Sequence, residues 1–250
     1  MASFVRLQWL LLIRSPRLLA TLVVLPLYAL VLFGTVRAHP SPELAATVTL
    51  GVFLMSMWSQ AMFVAAEVVG DDRWDGTLEP SLLTPRAYVL SLVIRVLTTT
   101  ALSVPALFEV MAIGRFGYGL HVTVHHPLVA AVTVVLLVVG TSGSALLVSG
   151  LMVVAPGSRS FQNALTYPFY ILGGLILPVT SLPEPVSWLS RLFFLSWGTD
   201  LLRAAFAGGP LRTGGLLVLL ALSAAQLALG VALLGRALAR ARDGRARLYA

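Results

Sequence analysis

The chain has 250 residues, of which 58% are hydrophobic and 11% charged, at a mean hydropathy of +0.92. Soluble domains carry about 25% charged residues, so this composition belongs to the membrane class. All 17 basic residues are Arg, against 10 acidic ones, for a net charge of +7; without Lys the phosphate loop GxxxxGK[ST] cannot be written, which removes P-loop ATP hydrolysis from this chain, and without Cys there are no disulfides, thiolate zinc sites or cysteine nucleophiles.

Crossing a hydrocarbon core of about 30 Å takes about 20 apolar residues in a helix. Residues 1–16 read as an interfacial helix. Phe4, Trp9 and a Leu run accompany Arg6, Arg14 and Arg17, which fall within an arc of under about 100°. The two later arginines interrupt any signal-peptide core, and no A-x-A-like site follows, so the N-terminus is expected to be retained. Charge-free spans are expected at Leu18 to Val36, Leu44 to Ala66, Pro127 to Ala155, Ser160 to Leu182 and Thr213 to Gly235. Another, from Ala87 to Gly114, is apolar except for Arg95 and Glu109; in lipid its backbone must be hydrogen-bonded internally, so it too is expected to be helical. The expected fold is therefore all-α and polytopic, with six transmembrane helices in a single transmembrane domain over residues 1–250.

Orientation follows from the arginines. With the N-terminus inside, Arg6, Arg14, Arg17, Arg73, Arg86, Arg95, Arg159, Arg236, Arg240, Arg242, Arg245 and Arg247 lie on or near the inner side, and Arg37, Arg115, Arg191, Arg203 and Arg212 outside. The positive-inside rule then places both termini in the cytoplasm, as an even number of spans requires. Scattered between apolar spans, the arginines form no single basic face, so the pI near 10.8 argues for no nucleic-acid partner. The tail at residues 236–250 reads as an anchor on anionic lipid.

Two connections are patterned. The inner one, residues 70–86, contains Gly76-Thr77-Leu78-Glu79-Pro80 and then Leu82-Leu83-Thr84-Pro85. Thr77 is placed to N-cap a helix, Glu79 favours the positive end of its dipole, Pro80 is tolerated in its first turn, and Pro85 stops it within two turns. Leu78, Leu82 and Leu83 give it one apolar face, which a groove on a soluble partner or the ends of its own spans would have to cover. The outer connection, residues 183–210, follows Pro178 and holds Pro183, Trp188, Trp197, Asp200 and Arg203. It is too apolar for a free loop and too interrupted for a span, so a pair of short helices dipping into the outer leaflet is expected.

Three charges fall within or at the end of spans. Arg95 lies about nine residues from the inner edge, within snorkelling reach, and Glu67 at the end of the second span is a candidate partner for it. Glu109 sits either at the outer interface or along a translocation path. His121 and His125 have a metal-compatible i, i+4 spacing, but no carboxylate lies near them in sequence and β-branched neighbours oppose a helix, so a solvated loop is expected and no metal. Gly140-Thr141-Ser142-Gly143 matches the GxSG of intramembrane serine proteases. No span contains a His to serve as base, so Gly140, Gly143, Ser144 and Gly150 are read as residues that let helices approach closely.

The run from Glu67 through Pro85, centred on Gly76-Thr77-Leu78-Glu79 and Leu82-Leu83-Thr84-Pro85, resembles permeases of the second type of ATP-binding-cassette exporter. The outer region, with Leu175 to Pro178, Ser181-Leu182-Pro183, Trp188-Leu189 and Asp200-Leu201-Leu202-Arg203, resembles the same family's re-entrant region, so the likeness runs along nearly the whole chain. What the resemblance implies is a six-span permease of the cytoplasmic membrane that pairs with a second permease copy, identical or not, and docks two cytoplasmic ATPase subunits carrying the ATP and Mg. Gly76 to Pro85 would be the coupling helix. Pro80 departs from the family's usual helix former, which leaves that helix's length and angle open. The cargo would be a drug, lipid or glycan. The rivals are an ion-coupled secondary transporter, for which the spans offer few midplane charges, and an intramembrane serine hydrolase, for which they offer no base.

Overall fold

The computed structural model describes residues 29–34, 36, 42–82, 85–154, 159–175, 179–210 and 213–243. Most of the first expected span, the interfacial helix and the end of the basic tail lie outside these residues. Among the described residues every regular element is helical. In chain order these are α1 (residues 29–34), α2 (Pro42–Gln60) continued by a π-helical turn (Ala61–Ala65), α3 (Val68–Trp74), α4 (Leu78–Leu82), α5 (Pro85–Ala101), α6 (Pro105–Tyr118), α7 (Pro127–Val154), α8 (Arg159–Leu172), a 3-10 turn (Val179–Ser181), α9 (Glu184–Ser190), α10 (Phe194–Ala207) and α11 (Thr213–Arg242).

Among the described residues four stretches are long and apolar enough to cross a bilayer: Leu44–Trp74, Tyr88–Tyr118, Pro127–Val154 and Gly214–Arg242. They correspond to the second, third, fourth and sixth expected spans. The second runs past Ala66 into the charged segment and carries α3 with it. The third is broken between Ala101 and Pro105, because Pro105 has no N–H to return to Ala101 and the chain closes instead through Ser103 N to Thr100 O (3.0 Å) and Val104 N to Ala101 O (3.0 Å).

The fifth expected span, from Ser160 to Leu182, is not one unbroken helix. Its helix stops at Leu172 after 14 residues. Gly174 takes φ +69°, Leu175 N bonds Tyr170 O (3.1 Å) and Gly174 N bonds Ile171 O (3.1 Å), which is a Schellman ending that only glycine adopts at low cost. Even so, α7 ends and α11 begins at opposite ends of the bundle, so the chain has to return across it between Val154 and Thr213. It does so in pieces. Gln162 and Tyr170 of α8 reach Met62 and Ser59 of α2, and α10 then climbs α7 from Gly140, beside Phe194, to His125, beside Phe206.

The core forms around α7, which is enclosed on all sides from Gly140 to Leu146, while Leu128 and Val135 nearer its start are exposed, as a lipid-facing side of an apolar helix would be. In lipid no hydrophobic driving force brings helices together, so packing contacts and hydrogen bonds must do it, and small residues allow the closest packing. A Cβ on Gly143 would lie 2.6 Å from the backbone carbon of Gln226, one on Gly230 would collide with Gly143 O, and one on Gly150 would stand 3.1 Å from Leu234 Cα. The glycines thus seat α11 on α7. Along α11 the buried set Leu219, Ser223, Gly230, Leu234, Ala237 and Ala241 forms the matching seam at helical spacing. Gly140 and Gly198 do the same for α10, since a Cβ on Gly140 would stand 2.6 Å from the Phe194 ring and one on Gly198 would overlap Leu137.

Candidate functional site

The patterned segment at residues 70–86 is built on an irregular stretch of backbone. At Ala61–Ala65 the helix widens to π geometry, with Ala66 N bonding Ala61 O at 2.9 Å, and this takes neighbouring carbonyls out of the regular ladder. Two side chains from other helices satisfy them. Ser149 Oγ of α7 donates to Ala66 O (2.8 Å), and Gln162 Nε2 of α8 donates to Met62 O (3.0 Å). A serine and a glutamine facing apolar helices thus hold the widened turn in place.

Beyond it, α3 ends in a second Schellman turn. Gly76 has φ +69°, Thr77 N bonds Asp72 O (2.9 Å) and Gly76 N bonds Arg73 O (3.1 Å). This explains the glycine of Gly76-Thr77-Leu78-Glu79: it reverses the chain so that α4 can start at Leu78. Thr77 precedes the first turn, and its carbonyl accepts from Ser81 Oγ (2.7 Å), but its hydroxyl donates backward to Asp72 O (3.1 Å) instead of capping a helix N–H. The threonine therefore ties α4 to α3. Pro80 stands at the third position of α4, inside the first turn, where its missing N–H costs no helical bond. With five residues, α4 keeps within the expected two turns, and Pro85 opens the next helix, α5. Leu78 is buried, so the apolar face is turned at least in part onto the protein itself. The side chains of Glu79 and Leu82, and the whole of Leu83, lie outside the described residues, as does the side chain of Pro85.

Asp72 is the centre of this end of the bundle. Its carboxylate accepts Arg95 Nη1 at 2.9 Å on Oδ1 and 2.8 Å on Oδ2, and Tyr88 Oη donates to Oδ2 at 2.8 Å. The residue is only 7% exposed, which explains why it takes a cation and a phenol together: a buried carboxylate is tolerable only when paired and hydrogen-bonded. Its neighbour Arg73 sends Nη2 to Val153 O (2.9 Å), capping α7, whose last carbonyls have no partner of their own and attract a cation. Three separate parts of the molecule, α3, α5 and the end of α7, are joined through Asp72 and Arg73. Trp74, next in sequence, is 92% exposed.

Of the charges singled out in the sequence, Glu67 is buried just past the π turn, Arg95 is held by Asp72, and Glu109 is partly buried in α6. The sequence reading missed Asp72, Tyr88 and Arg73. The available signal was Arg95, since an arginine inside an apolar span demands a carboxylate nearby; which one supplies it depends on how α3 lies against α5.

Residues 183–210 hold two helices, α9 of 7 residues and α10 of 14. Pro183 precedes α9 in extended geometry and Trp188 is 67% exposed. Arg203 Nη2 donates to Gly174 O (2.7 Å) and Thr199 Oγ1 to Gly173 O (2.9 Å), so α10 caps the broken end of α8. Asp200 lies exposed on the same helix, and Pro178 falls outside the described residues. His121 and His125 lie in a non-helical connection, where the His125 ring meets Phe206 O. Among the described residues no cluster of His and carboxylates could hold a metal. Ser142 is fully buried within α7, and its hydroxyl has no hydrogen-bond partner among the described residues.

A family model described as ABC-2 type transporter matches residues 2–207, from the amino terminus through the end of α10. The chain belongs to the ABC-2 type transporter family. Long apolar helices and this membrane domain together make it a multi-pass membrane permease, a transport component of an ABC transporter. No curated protein matches the chain. Within this ABC-2 permease the match takes in the Asp72 network, α4 and the α9–α10 pair, while α11 lies beyond it.

Proposed function

We propose that this ABC-2 permease forms the membrane half of an ATP-driven exporter and that α4, presented on the turn at Gly76, is the coupling helix on which a cytoplasmic ATPase subunit docks. The observation that carries this is the Asp72 junction. A docking helix transmits force only if it is fixed to the spans it moves, and Thr77, Asp72, Arg95 and Tyr88 fix α4 to α3 and α5 through bonds of 2.8 to 3.1 Å. Exposed Trp74 beside this turn adds an aromatic anchor of the type concentrated at protein interfaces.

In this reading two permease copies, each with its ATPase, enclose the path. Both termini are cytoplasmic, and the ATP and Mg reside on the ATPase because this chain lacks the lysine of a phosphate loop. The permease supplies two states of different affinity, and nucleotide binding and hydrolysis in the partner bias the equilibrium between them. The cargo is a hydrophobic or amphipathic molecule of the drug, lipid or glycan kind. The α9–α10 pair sits at the outer end of the path, re-entrant from the external side.

The test is co-purification of the encoded ATPase with Leu82→Asp. An acidic side chain on the apolar side of α4 is expected to abolish association while membrane insertion stays normal. Unchanged co-purification, or a reporter at Gly76 located outside the cell, would overturn the assignment.

A further inference from the structure

A cavity of about 610 Å3 opens between α2, α7, α8 and α11, within the size range of small-ligand sites. Its lining changes character along its length. Trp58 and Leu233 represent the apolar wall, Ser144 and Gln226 contribute a polar pair in which Gln226 Nε2 donates to Ser144 Oγ (3.0 Å), and Arg236 and Arg240 stand where α11 passes the end of α7. Ser144 lies roughly 15 Å along α7 from Val154 at 1.5 Å per residue, so the cavity reaches from one end of the bundle toward its middle.

Two features point to a ligand. The first is charge. Arg236 and Arg240 are four residues apart and therefore share one face of α11, both are exposed, and neither has a hydrogen-bond or ion-pair partner among the described residues. Guanidinium groups spaced this way match phosphate or carboxylate oxygens, and basic pockets between transmembrane helices are suited to anionic headgroups. The second is shape. Trp58, 1% exposed, stacks on Phe169 with ring centroids 4.5 Å apart, and both rings line the cavity, giving a flat apolar wall on which a hydrocarbon chain can lie. A purely apolar occupant, such as a helix from a second copy, would fill the groove and make no use of the two arginines at its end.

We propose that this cavity binds an anionic amphiphile, with its phosphate or carboxylate head held by Arg236 and Arg240 and its hydrocarbon chain laid along α11 toward Gln226 and Trp58. The inference rests on the membrane-spanning reading and not on the ATPase, so loss of ATPase docking would leave it standing. A bilayer phospholipid and a free amphiphile share this chemistry.

The experiment is tryptophan quenching in vesicles, using the difference between the parent chain and Trp58→Phe to isolate the Trp58 signal. Brominated phosphatidylglycerol is expected to quench Trp58 at a mole fraction roughly tenfold lower than brominated phosphatidylcholine, the preference disappearing in Arg236→Gln/Arg240→Gln and surviving in Arg236→Lys/Arg240→Lys. That result identifies a bilayer lipid. Saturable, arginine-dependent quenching by brominated octadecanoate in phosphatidylcholine vesicles, without a phosphatidylglycerol preference, identifies a free amphiphile instead. Quenching by neither probe beyond the phosphatidylcholine level, or quenching equal in the lysine and glutamine variants, overturns the proposal; the lysine variant also shows that the site tolerates substitution without loss of fold.

Discussion

Asp72 and Arg95 are joined through a single guanidinium nitrogen that lies 2.9 and 2.8 Å from the two carboxylate oxygens, while Tyr88 Oη bonds one of those oxygens from about two turns earlier in α5. Asp72 also offers its backbone carbonyl to both the N–H and the hydroxyl of Thr77. One residue thus connects the spans to the turn that presents α4.

Removing one member of this pair leaves a buried charge without its partner, which costs about 3 kcal/mol where burial is complete and less here because Arg95 is 23% exposed. Asp72→Asn and Arg95→Met should each lower the melting temperature in detergent. The double variant should melt higher than the sum of the two losses predicts, because each single change already abolishes the shared interaction. Strict additivity would show that the two groups do not stabilise each other.

Gly143 and Gly230 should tolerate no side chain. An added methyl at either one meets backbone, which cannot yield as a flexible side chain would, so Gly143→Ala and Gly230→Ala should destabilise by about 1–3 kcal/mol. Gly235→Ala, on the same helix with nothing within 4 Å of the new carbon, is the control and should be neutral or slightly stabilising. Because the native chain has no Cys, introduced cysteine pairs across α7 and α11 can report the separation by cross-linking rate.

Gly76→Ala should cost about 1 kcal/mol through its left-handed backbone alone, with open space around the new methyl. Its larger expected effect is on ATPase association, since the turn sets the direction of α4. Gly70→Ala, inside α3 with equally open surroundings, should leave association unchanged. Equal effects of the two would separate the turn from docking.

Arg203→Met should weaken the junction between α8 and α10, because a charged hydrogen bond to Gly174 O contributes about 1.5–3 kcal/mol and the carbonyl is left without that donor. Protease sensitivity between residues 175 and 193 is the measurement, and the variant should be cleaved faster. Arg203→Lys should restore protection in part, a single ammonium replacing one arm of the guanidinium.

What the sequence by itself determined was local or compositional. Long apolar runs define the helices through residues 44–66, 127–154 and 214–235 because a buried backbone in lipid must close its own hydrogen bonds. A short helix after Gly76, bounded by Pro85, was legible because Pro80 and Pro85 limit it locally, although the turn at Gly76 and the backward bond of Thr77 were not. The glycines of α7 were legible as close-packing positions for the same reason, having no side chain to separate two backbones. Only the tertiary structure decided the partners. Asp72 meets Arg95 and Tyr88 because α3 lies against α5 at one particular height, Ser149 finds Ala66 across 83 residues, and α10 completes the return that α8 begins because Arg203 and Thr199 cap its broken end. Such pairings depend on how helices seat against one another, and no spacing along the chain encodes that seating.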